Sequence, residues 1–271
     1  MSNRLRSAPT ASAPAPAASA PEVAHQVSHQ VTRQLTRCAW ILAAEGHESG
    51  LAGQITARGP QSGTFWTLPL GLAFEEATDD AWLLIDEALT VREGEGFVSG
   101  SGSDAQRICE PNPATRFHLW VYRARPDLQA IVHTHPPACS ALAAAETPLI
   151  VGHMDATPLF DDMAFLPAWP GLPTADREGE IIAHGLGNKH AILLAHHGML
   201  TAGRSVAEAT FLGVFMERMA RLQIDAYAAG GVKPVDPAEA ARARDFLRTE
   251  RILNLTFDAW SRKVERNRKF G

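Results

Sequence analysis

The stretch AIVHTHPPACSAL, residues 130–142, decides how the rest of the chain is interpreted. A short apolar run leads into two histidines two positions apart, and a double proline follows at once. Successive side chains of a β-strand point to opposite faces, so His133 and His135 share one face. The stretch therefore predicts a buried strand that ends with two imidazoles side by side, followed by a helix after the prolines.

Two imidazoles on one face can converge on a metal ion; the alternative is a pair of surface or hydrogen-bonded histidines. A third ligand must come from another segment. Residues 191–198, AILLAHHG, repeat the arrangement of a buried strand followed by histidine. His196 and His197 are adjacent and point in different directions, so only one is expected to join the first pair. Ligand sites of open α/β sheets lie beyond the carboxyl ends of strands, which favours a shared metal site here.

The composition is typical of a globular protein that acts on small molecules. Of the 271 residues, 45% are hydrophobic and 20% are charged. The formal net charge of -5 gives no electrostatic reason to expect nucleic acid or an anionic membrane as a partner, so a small organic substrate is expected. Cys38, Cys109 and Cys139 are far apart, which indicates reduced thiols in a cytoplasmic protein. No apolar run approaches the roughly 18 residues that a membrane span needs.

The chain divides into a short tail and one domain. Residues 1–22 form an Ala/Pro-rich segment with too little apolar surface to offset ordering, which predicts a disordered tail. Residues 23–271 are predicted to form a single domain that ends in C-terminal helices. Strands alternate with helices, and several early strands are joined by short turns. This pattern favours an α/β fold with a mixed sheet covered by helices on both faces.

Individual elements are predicted from local patterns. Helices are predicted to start at Asn112, Ser205 and Asp236, because each is a good N-cap residue. The Gly/Ser-rich residues 96–111 are typical of an exposed loop. Strands are predicted at 53–58, 63–71, 81–86, 88–91, 129–135 and 148–154.

Three motifs together resemble the class II aldolase/adducin family. They are SGLAGQITAR (49–58), NPATRFHLWVYRARPDLQAIVHTHPP (112–137) and LLAHHGMLTAG (193–203), within a resemblance that extends from about residue 25 to 230. The resemblance implies a three-layer α/β/α sandwich around a mixed, mostly antiparallel sheet, often in a ring-shaped homotetramer. It also implies a divalent metal held near a subunit interface by three histidines, which match His133, His135 and His197. Zinc is the first expectation for the metal, with manganese and iron as alternatives.

The chain departs from the sugar-phosphate aldolases of that family at two places. Those enzymes carry a glutamate, acting as acid/base or as a ligand of the resting metal, at the start of the helix before the RPD motif. The matching position here is Ala114. Where those enzymes bind phosphate with Gly-Asn and paired serines, this chain has Gln54, Asn112 and Pro113. These departures argue against the standard aldolase mechanism and against a phosphorylated substrate.

Four further residues are candidates for the site. Asp155, near the end of the predicted strand 148–154, is the first candidate to replace the missing acid; a solvated acidic loop is the alternative. His118 is a candidate catalytic residue four positions into its helix, although a core or supporting role is favoured over direct ligation. Gln54 is expected to contact substrate. Asn112 is expected to cap its helix, with substrate binding as the alternative.

Three neutral histidines leave open positions on a metal ion, which is typical of a catalytic site. The predicted function is a divalent-metal-dependent C–C lyase, either an aldolase or a decarboxylase. Its substrate is expected to be a small, non-phosphorylated hydroxy-carbonyl compound or oxo-acid, whose enolate or enediolate the metal would stabilise. Two alternatives stay open: a non-heme iron oxygenase on the same fold, and a non-catalytic adducin-like binding protein.

Overall fold

The computed structural model describes residues 20–48, 50–171 and 176–270. Most of the predicted tail, residues 1–19, lies outside this range. Helix α1 begins at Ala20, so residues 20–22, which the sequence analysis assigns to the tail, are helical. The helix ends at Ala44, and Gly46 follows with a φ of 81°, a left-handed conformation that glycine adopts without strain.

A mixed sheet forms the centre of the molecule. Within the described residues it has eight strands in the order β4-β3-β2-β1-β7-β10-β9-β8, and all neighbours are antiparallel except β8 and β9. The strands, including the separate hairpin β5–β6, are β1 (Gln54–Arg58), β2 (Thr64–Thr67), β3 (Leu83–Asp86), β4 (Val91–Glu93), β5 (Phe97–Ser99), β6 (Gln106–Ile108), β7 (Ala130–Thr134), β8 (Met163–Leu166), β9 (Ala191–Leu194) and β10 (Gly198–Gly203).

Helices cover both faces of this sheet. They are α1 (Ala20–Ala44), α2 (Thr115–Ala124), α3 (Pro137–Ala144), α4 (Asp176–Leu186), α5 (Val206–Ala228), α6 (Pro237–Leu247) and α7 (Glu250–Phe270). Helices α2 and α4 pack on one face, where Phe117 and Ile182 join Ile131 and Leu200 in one apolar core. Helices α1, α3, α5 and α7 pack on the other face. The predicted three-layer α/β/α sandwich with a mostly antiparallel sheet is therefore confirmed.

Strand β7 lies inside the sheet and is buried on both sides. Its side chains alternate, so Ile131 and His133 face α2 and α4, while Val132 and Thr134 face the opposite layer. Gln54 of β1 and Leu200 of β10 lie directly opposite His133 in the two neighbouring strands. The alternation that placed His133 and His135 on one face in the sequence analysis therefore holds in the fold.

The strand predicted at 148–154 is wrong. Two of its backbone groups form hydrogen bonds with residues outside the sheet. The Ile150 N–H donates to Oε1 of Gln223, and the Val151 carbonyl accepts from the N–H of Val235. The edge strand is instead β8, further along the chain. Residues 96–111, predicted as a loop, contain the β5–β6 hairpin.

The predicted N-caps are largely correct. The Ser205 hydroxyl accepts a hydrogen bond from the Glu208 N–H, and the Asp236 carboxylate accepts from the two amides that open α6. Asn112 closes a turn ahead of α2, which begins at Thr115, slightly later than predicted. The predicted last helix is two helices, α6 and α7, with a break at Arg248.

Candidate metal centre

His133 is held in one orientation by the strand next to it. The side chain is 2% exposed, and its Nδ1 lies 2.9 Å from the carbonyl oxygen of Met199 on β10. A carbonyl can only accept a hydrogen bond, so Nδ1 carries the proton and Nε2 presents a lone pair. Metal-binding histidines are commonly oriented in this way by the nitrogen that does not bind the metal.

The three predicted ligands come together beyond the end of β7. Nε2 of His133 lies 3.0 Å from Nε2 of His135, and the ring centroids of both lie 4.8 to 4.9 Å from that of His197. One nitrogen from each ring falls within 4.8 Å of the others. The structure therefore assembles His133, His135 and His197 into the constellation that the sequence predicts.

The turn between β9 and β10 selects which of the adjacent histidines joins the group. His196 has a φ of 57°, in the left-handed region that is uncommon for residues other than glycine. Its side chain points away and pairs with Glu146, with 2.9 Å between Nε2 and Oε1. His197 then faces the other two rings. Only one of the pair joins, as predicted.

The three imidazoles are neutral bases in this environment. Burial lowers the pKa of His197 to about 4, with a smaller contribution from nearby His135. Burial also lowers the pKa of His135, and it holds the pKa of His133 well below the ordinary value, with His197 and His135 adding to the effect. Metal ligands must be unprotonated, and nitrogen donors suit zinc and iron. The donor set therefore fits a divalent metal, in line with the metal dependence that the resemblance implies.

A carboxylate that sequence analysis missed lies behind His197. Glu178 of α4 is 2% exposed, and its Oε1 lies 3.9 Å from Nδ1 of His197. Neither carboxylate oxygen has a hydrogen-bond partner among the described residues. Burial raises the pKa of Glu178 to about 7. A signal was present in the sequence, because Glu178 lies in phase with Ile182 and Leu186 on the apolar side of its helix.

Gln54 is a structural residue, which corrects the expectation that it contacts substrate. Its side chain is completely buried. Oε1 accepts from the Ile55 and Leu68 N–H groups, while Nε2 donates to the Leu68 carbonyl and to the Thr115 hydroxyl. These hydrogen bonds join β1 to β2 and to α2. The side chain has no surface to offer a ligand.

His118 lies behind the three histidines and not among them. Its ring is fully buried, 6.4 Å from the His133 ring, and Nδ1 lies 2.8 Å from the Thr56 hydroxyl. Thr56 in turn lies 3.0 Å from the Tyr122 hydroxyl. This placement agrees with the supporting role favoured from the sequence and leaves the ring no exposed surface for direct catalysis.

Asn112 and Ala114 occupy the turn before α2. Oδ1 of Asn112 accepts from the Ala114 N–H, and Nδ2 donates to the Leu51 carbonyl, so the side chain closes the turn ahead of α2 and joins it to the loop before β1. Asn112 also lines a small cavity beside Gly53. Thr115, next to Ala114, bonds to Gln54, which pairs with His133 across the sheet. Ala114 thus lies at the same end of the sheet as the histidines.

The choice of Asp155 as replacement acid is corrected by the structure. It rested on a strand at 148–154, and those residues form no strand. Asp155 lies instead in a short 3-10 helix, half exposed, where it lines a cavity of about 520 Å³ with Arg218 and Arg221. It is not part of the histidine group. Glu178 is the carboxylate that the structure places beside a histidine of that group.

The chain belongs to the class II aldolase/adducin family. The family described as "Class II Aldolase and Adducin N-terminal domain" matches residues 33–224, which confirms the resemblance stated above.

Two relatives carry different activities in their names, and the one named as a decarboxylase supports the predicted lyase class. A "4-hydroxy-3-prenylphenylpyruvate oxygenase/4-hydroxy-3-prenylbenzoate synthase" of Streptomyces roseochromogenus subsp. oscitans is 33% identical over 72% of this chain and 66% of its own length. "Decarboxylase NovR" of Streptomyces niveus is 32% identical over 72% of this chain and 68% of its own length. The chain therefore spans about two thirds of both relatives.

A solved structure shows the same fold over nearly the whole chain. The L-fuculose 1-phosphate aldolase from Glaciozyma antarctica PI12 superposes with a TM-score of 0.79 at 26% identity, covering 94% of this chain and 95% of that one. In the part of this chain that the structure describes, no helix combines the length and apolar character needed to cross a bilayer.

Proposed function

We propose that the protein is a divalent-metal-dependent lyase that decarboxylates a small oxo-acid. The observation that carries the proposal is the group formed by His133, His135 and His197, whose neutral imidazoles place one nitrogen each within 4.8 Å of the others. Three protein ligands leave coordination positions for a substrate, as in catalytic metal sites.

A metal bound there supplies Lewis-acid stabilisation of the negative charge that develops on a substrate oxygen when the C–C bond breaks. The chain's own residues hold the site in place. Met199 fixes the His133 ring through its carbonyl, and the buried β7–β10 pairing fixes the strand end.

Decarboxylation is favoured over retro-aldol cleavage because of Ala114. Retro-aldol cleavage needs a base for the departing hydroxyl proton, and the methyl group at this position can neither accept nor donate one. Decarboxylation releases CO2 and needs only a proton for the remaining carbanion, which water can supply. The relative named as a decarboxylase supports this choice.

The substrate is proposed to lack phosphate. The small cavity beside Asn112 is lined by Glu48 and by no lysine or arginine among the described residues. A carboxylate there would repel a phosphate group, because like charges at short range raise the energy of the complex. The electron pair left by CO2 loss can move onto an oxygen only when that oxygen is bound to the neighbouring carbon, so the substrate is proposed to be a 3-oxo-acid or its aromatic equivalent, an ortho-hydroxy aryl acid. The relatives named 3,4-dihydroxyphthalate decarboxylase support this class.

A non-heme iron oxygenase is the second candidate, favoured by the relative from Streptomyces roseochromogenus subsp. oscitans that is named as an oxygenase. Both candidates use the three histidines, and they differ in metal and co-substrate. An oxygenase needs iron and consumes O2, whereas a decarboxylase works with zinc or manganese in the absence of O2.

The domain extent, the number of subunits, the cellular compartment and the identity of the metal are proposed together with the function. We propose that residues 23–271 form one catalytic domain, that the chain assembles as a homotetramer, and that it acts in the cytoplasm with zinc as the bound metal. Exposed apolar side chains on the helices, among them Phe246 and Leu255, are available for subunit contacts. Light scattering of the purified chain measures the subunit number directly.

The function is tested first through the metal and then through CO2 release. Metal content per subunit is measured by plasma mass spectrometry for the untagged wild type and for the double variant His133→Ala, His135→Ala. We expect about one metal per subunit in the wild type and almost none in the variant. His196→Ala is the matched control, because its side chain points away from the site.

Turnover is measured with 3,4-dihydroxyphthalate under anaerobic conditions and with 4-hydroxyphenylpyruvate in the presence of O2, with L-fuculose 1-phosphate as the phosphorylated comparison. Anaerobic CO2 release from 3,4-dihydroxyphthalate supports the decarboxylase. Iron with obligatory O2 uptake supports the oxygenase. Cleavage of the sugar phosphate, or a metal-free wild type with intact fold, contradicts the proposal.

A further inference from the structure

We propose that Glu178 is a positioning residue of the metal centre: its carboxylate accepts a hydrogen bond from the Nδ1–H of His197 and so fixes the tautomer that presents Nε2 to the metal. The inference rests on the proposed function, because it requires the three histidines to bind metal. Glu178 is not one of the proposed metal ligands, and it lies on helix α4, whereas His133 lies on strand β7.

The first support is the direction of the His197 ring. Nδ1 faces the Glu178 carboxylate at 3.9 Å and has no hydrogen-bond partner among the described residues. Nε2 is therefore the nitrogen left for the group with His133 and His135. A shift of about 1 Å closes the gap between Nδ1 and the carboxylate to hydrogen-bond length.

The second support is the isolation of the carboxylate. Glu178 is 2% exposed, and within the described part of the chain neither of its oxygens accepts a hydrogen bond. No lysine or arginine pairs with it there; the one ion-pair contact is to His197. Burying a carboxylate without a partner destabilises a protein, and native proteins hold such groups chiefly at functional sites. His197 is the group within reach that can supply the partner.

Glu178 is better placed behind a ligand than as a ligand. Its oxygens do not join the three histidines in a common group. His133 already has an orienting partner for its second nitrogen, the carbonyl of Met199. Glu178 gives His197 the equivalent partner, and carboxylate–histidine–metal arrangements of this kind are frequent in metalloproteins.

Packing of the two helices on this face explains how Glu178 reaches the site. A Cβ atom on Gly179 would lie 2.3 Å from the Trp120 side chain and 3.1 Å from the Phe117 Cα, so α4 can approach α2 this closely only with glycine there. The close approach brings the preceding residue, Glu178, into the buried layer beside His197.

The test is metal affinity in Glu178→Gln and Glu178→Ala, with Glu180→Gln as matched control. Glu180 lies on the exposed side of the same helix. Zinc dissociation constants are measured by competition with a chromophoric chelator. We expect Glu178→Ala to weaken zinc binding by about 10- to 100-fold, the usual effect of losing such a partner. Glu178→Gln should lose less, because its amide oxygen still accepts a hydrogen bond. The control should stay within about twofold of wild type.

A second measurement separates positioning from packing. Without metal, Glu178→Gln is expected to resist urea at least as well as wild type, because the variant removes a buried negative charge while keeping the side-chain shape and one hydrogen-bond acceptor. Loss of affinity together with lower metal-free stability would overturn the inference in favour of a packing role. Unchanged affinity in both variants would overturn it while leaving the proposed function intact, whereas a wild type that binds no zinc would contradict the proposed function itself.

Discussion

Gly198, the residue after His197, leaves room for a metal ligand. A Cβ atom there would lie 2.4 Å from the His135 ring and 2.6 Å from the Thr134 carbonyl oxygen. Both distances are far shorter than a normal contact, so the ring or the strand would have to move. The HHG motif thus supplies one proposed ligand with its second histidine, and its glycine leaves space for the proposed ligand His135.

We predict that Gly198→Ala weakens zinc binding by at least about tenfold and destabilises the fold by about 1 to 3 kcal/mol, the usual cost of overpacking. The measurements are chelator competition and urea unfolding. Gly213→Ala is the control, because a Cβ there meets only ordinary contacts of 3.4 Å and longer inside helix α5. Wild-type zinc affinity in Gly198→Ala would show that the His135 ring can move without loss.

The sequence alone predicts the positions of some side chains in the candidate site and not those of others. His133, His135 and His197 could be found because strand periodicity and two similar strand ends fix their faces. Glu178 could not be assigned to the site, because its approach depends on how closely α4 packs against α2. Gln54 was misjudged because its motif position gave no sign that the amide is used entirely by neighbouring backbone and Thr115.

At the scale of elements, the break between α6 and α7 anchors the C-terminal helices to the body of the fold. Arg248 at this break bonds to the Asp162 carboxylate and, at 2.8 Å, to that of Glu208. Asp162 also contacts His190, and Glu208 contacts Arg204. The Arg248 side chain is 10% exposed and that of Glu208 is 1% exposed, so this is a largely buried charge cluster.

We predict that Arg248→Met destabilises the protein by about 3 kcal/mol, because it leaves buried carboxylates with fewer compensating charges. The free energy of unfolding is measured in urea, with Arg251→Met on the exposed surface of α7 as control. Equal stability of the two variants would mean that Arg204 and His190 alone compensate the buried charges of Glu208 and Asp162.

Elements with strong local signals were predicted well, and edge elements were not. Strand β7 and the start of α5 follow from apolar runs and a capping box. The apolar residues 148–151 have a composition typical of a strand. Their backbone groups nevertheless form hydrogen bonds with Gln223 and Val235, which are distant in sequence. The true edge strand β8 is half-buried and short, so its sequence carries little periodicity.

For the whole molecule, buried neutral histidines make stability depend on pH. Burial lowers the pKa of His47 and of His118 to about 3 each. In the unfolded chain they titrate near 6.5, so below that pH the unfolded state binds more protons than the folded one. Their contribution is present in full above pH 6.5 and is lost as the pH falls toward 3.

We predict that each of these histidines removes about 1.4 kcal/mol of stability when the pH is lowered from 7.5 to 5.5. His118→Gln and His47→Gln should each reduce the difference between the two pH values by that amount. Urea unfolding with a chelator present measures it, and His184→Gln, exposed on α4, is the control. A wild-type difference that persists undiminished in both variants would contradict the assignment.

The pairing of β7 with β10 also couples the ligands to the interior of the sheet. His133 is on β7 and His197 directly precedes β10, so these two proposed ligands cannot separate far while the backbone hydrogen bonds between the strands hold. We predict that opening of this ladder and release of metal are one event. Deuterium exchange at the amides shared by β7 and β10 should slow in proportion to free metal concentration, whereas exchange in the β5–β6 hairpin should not respond.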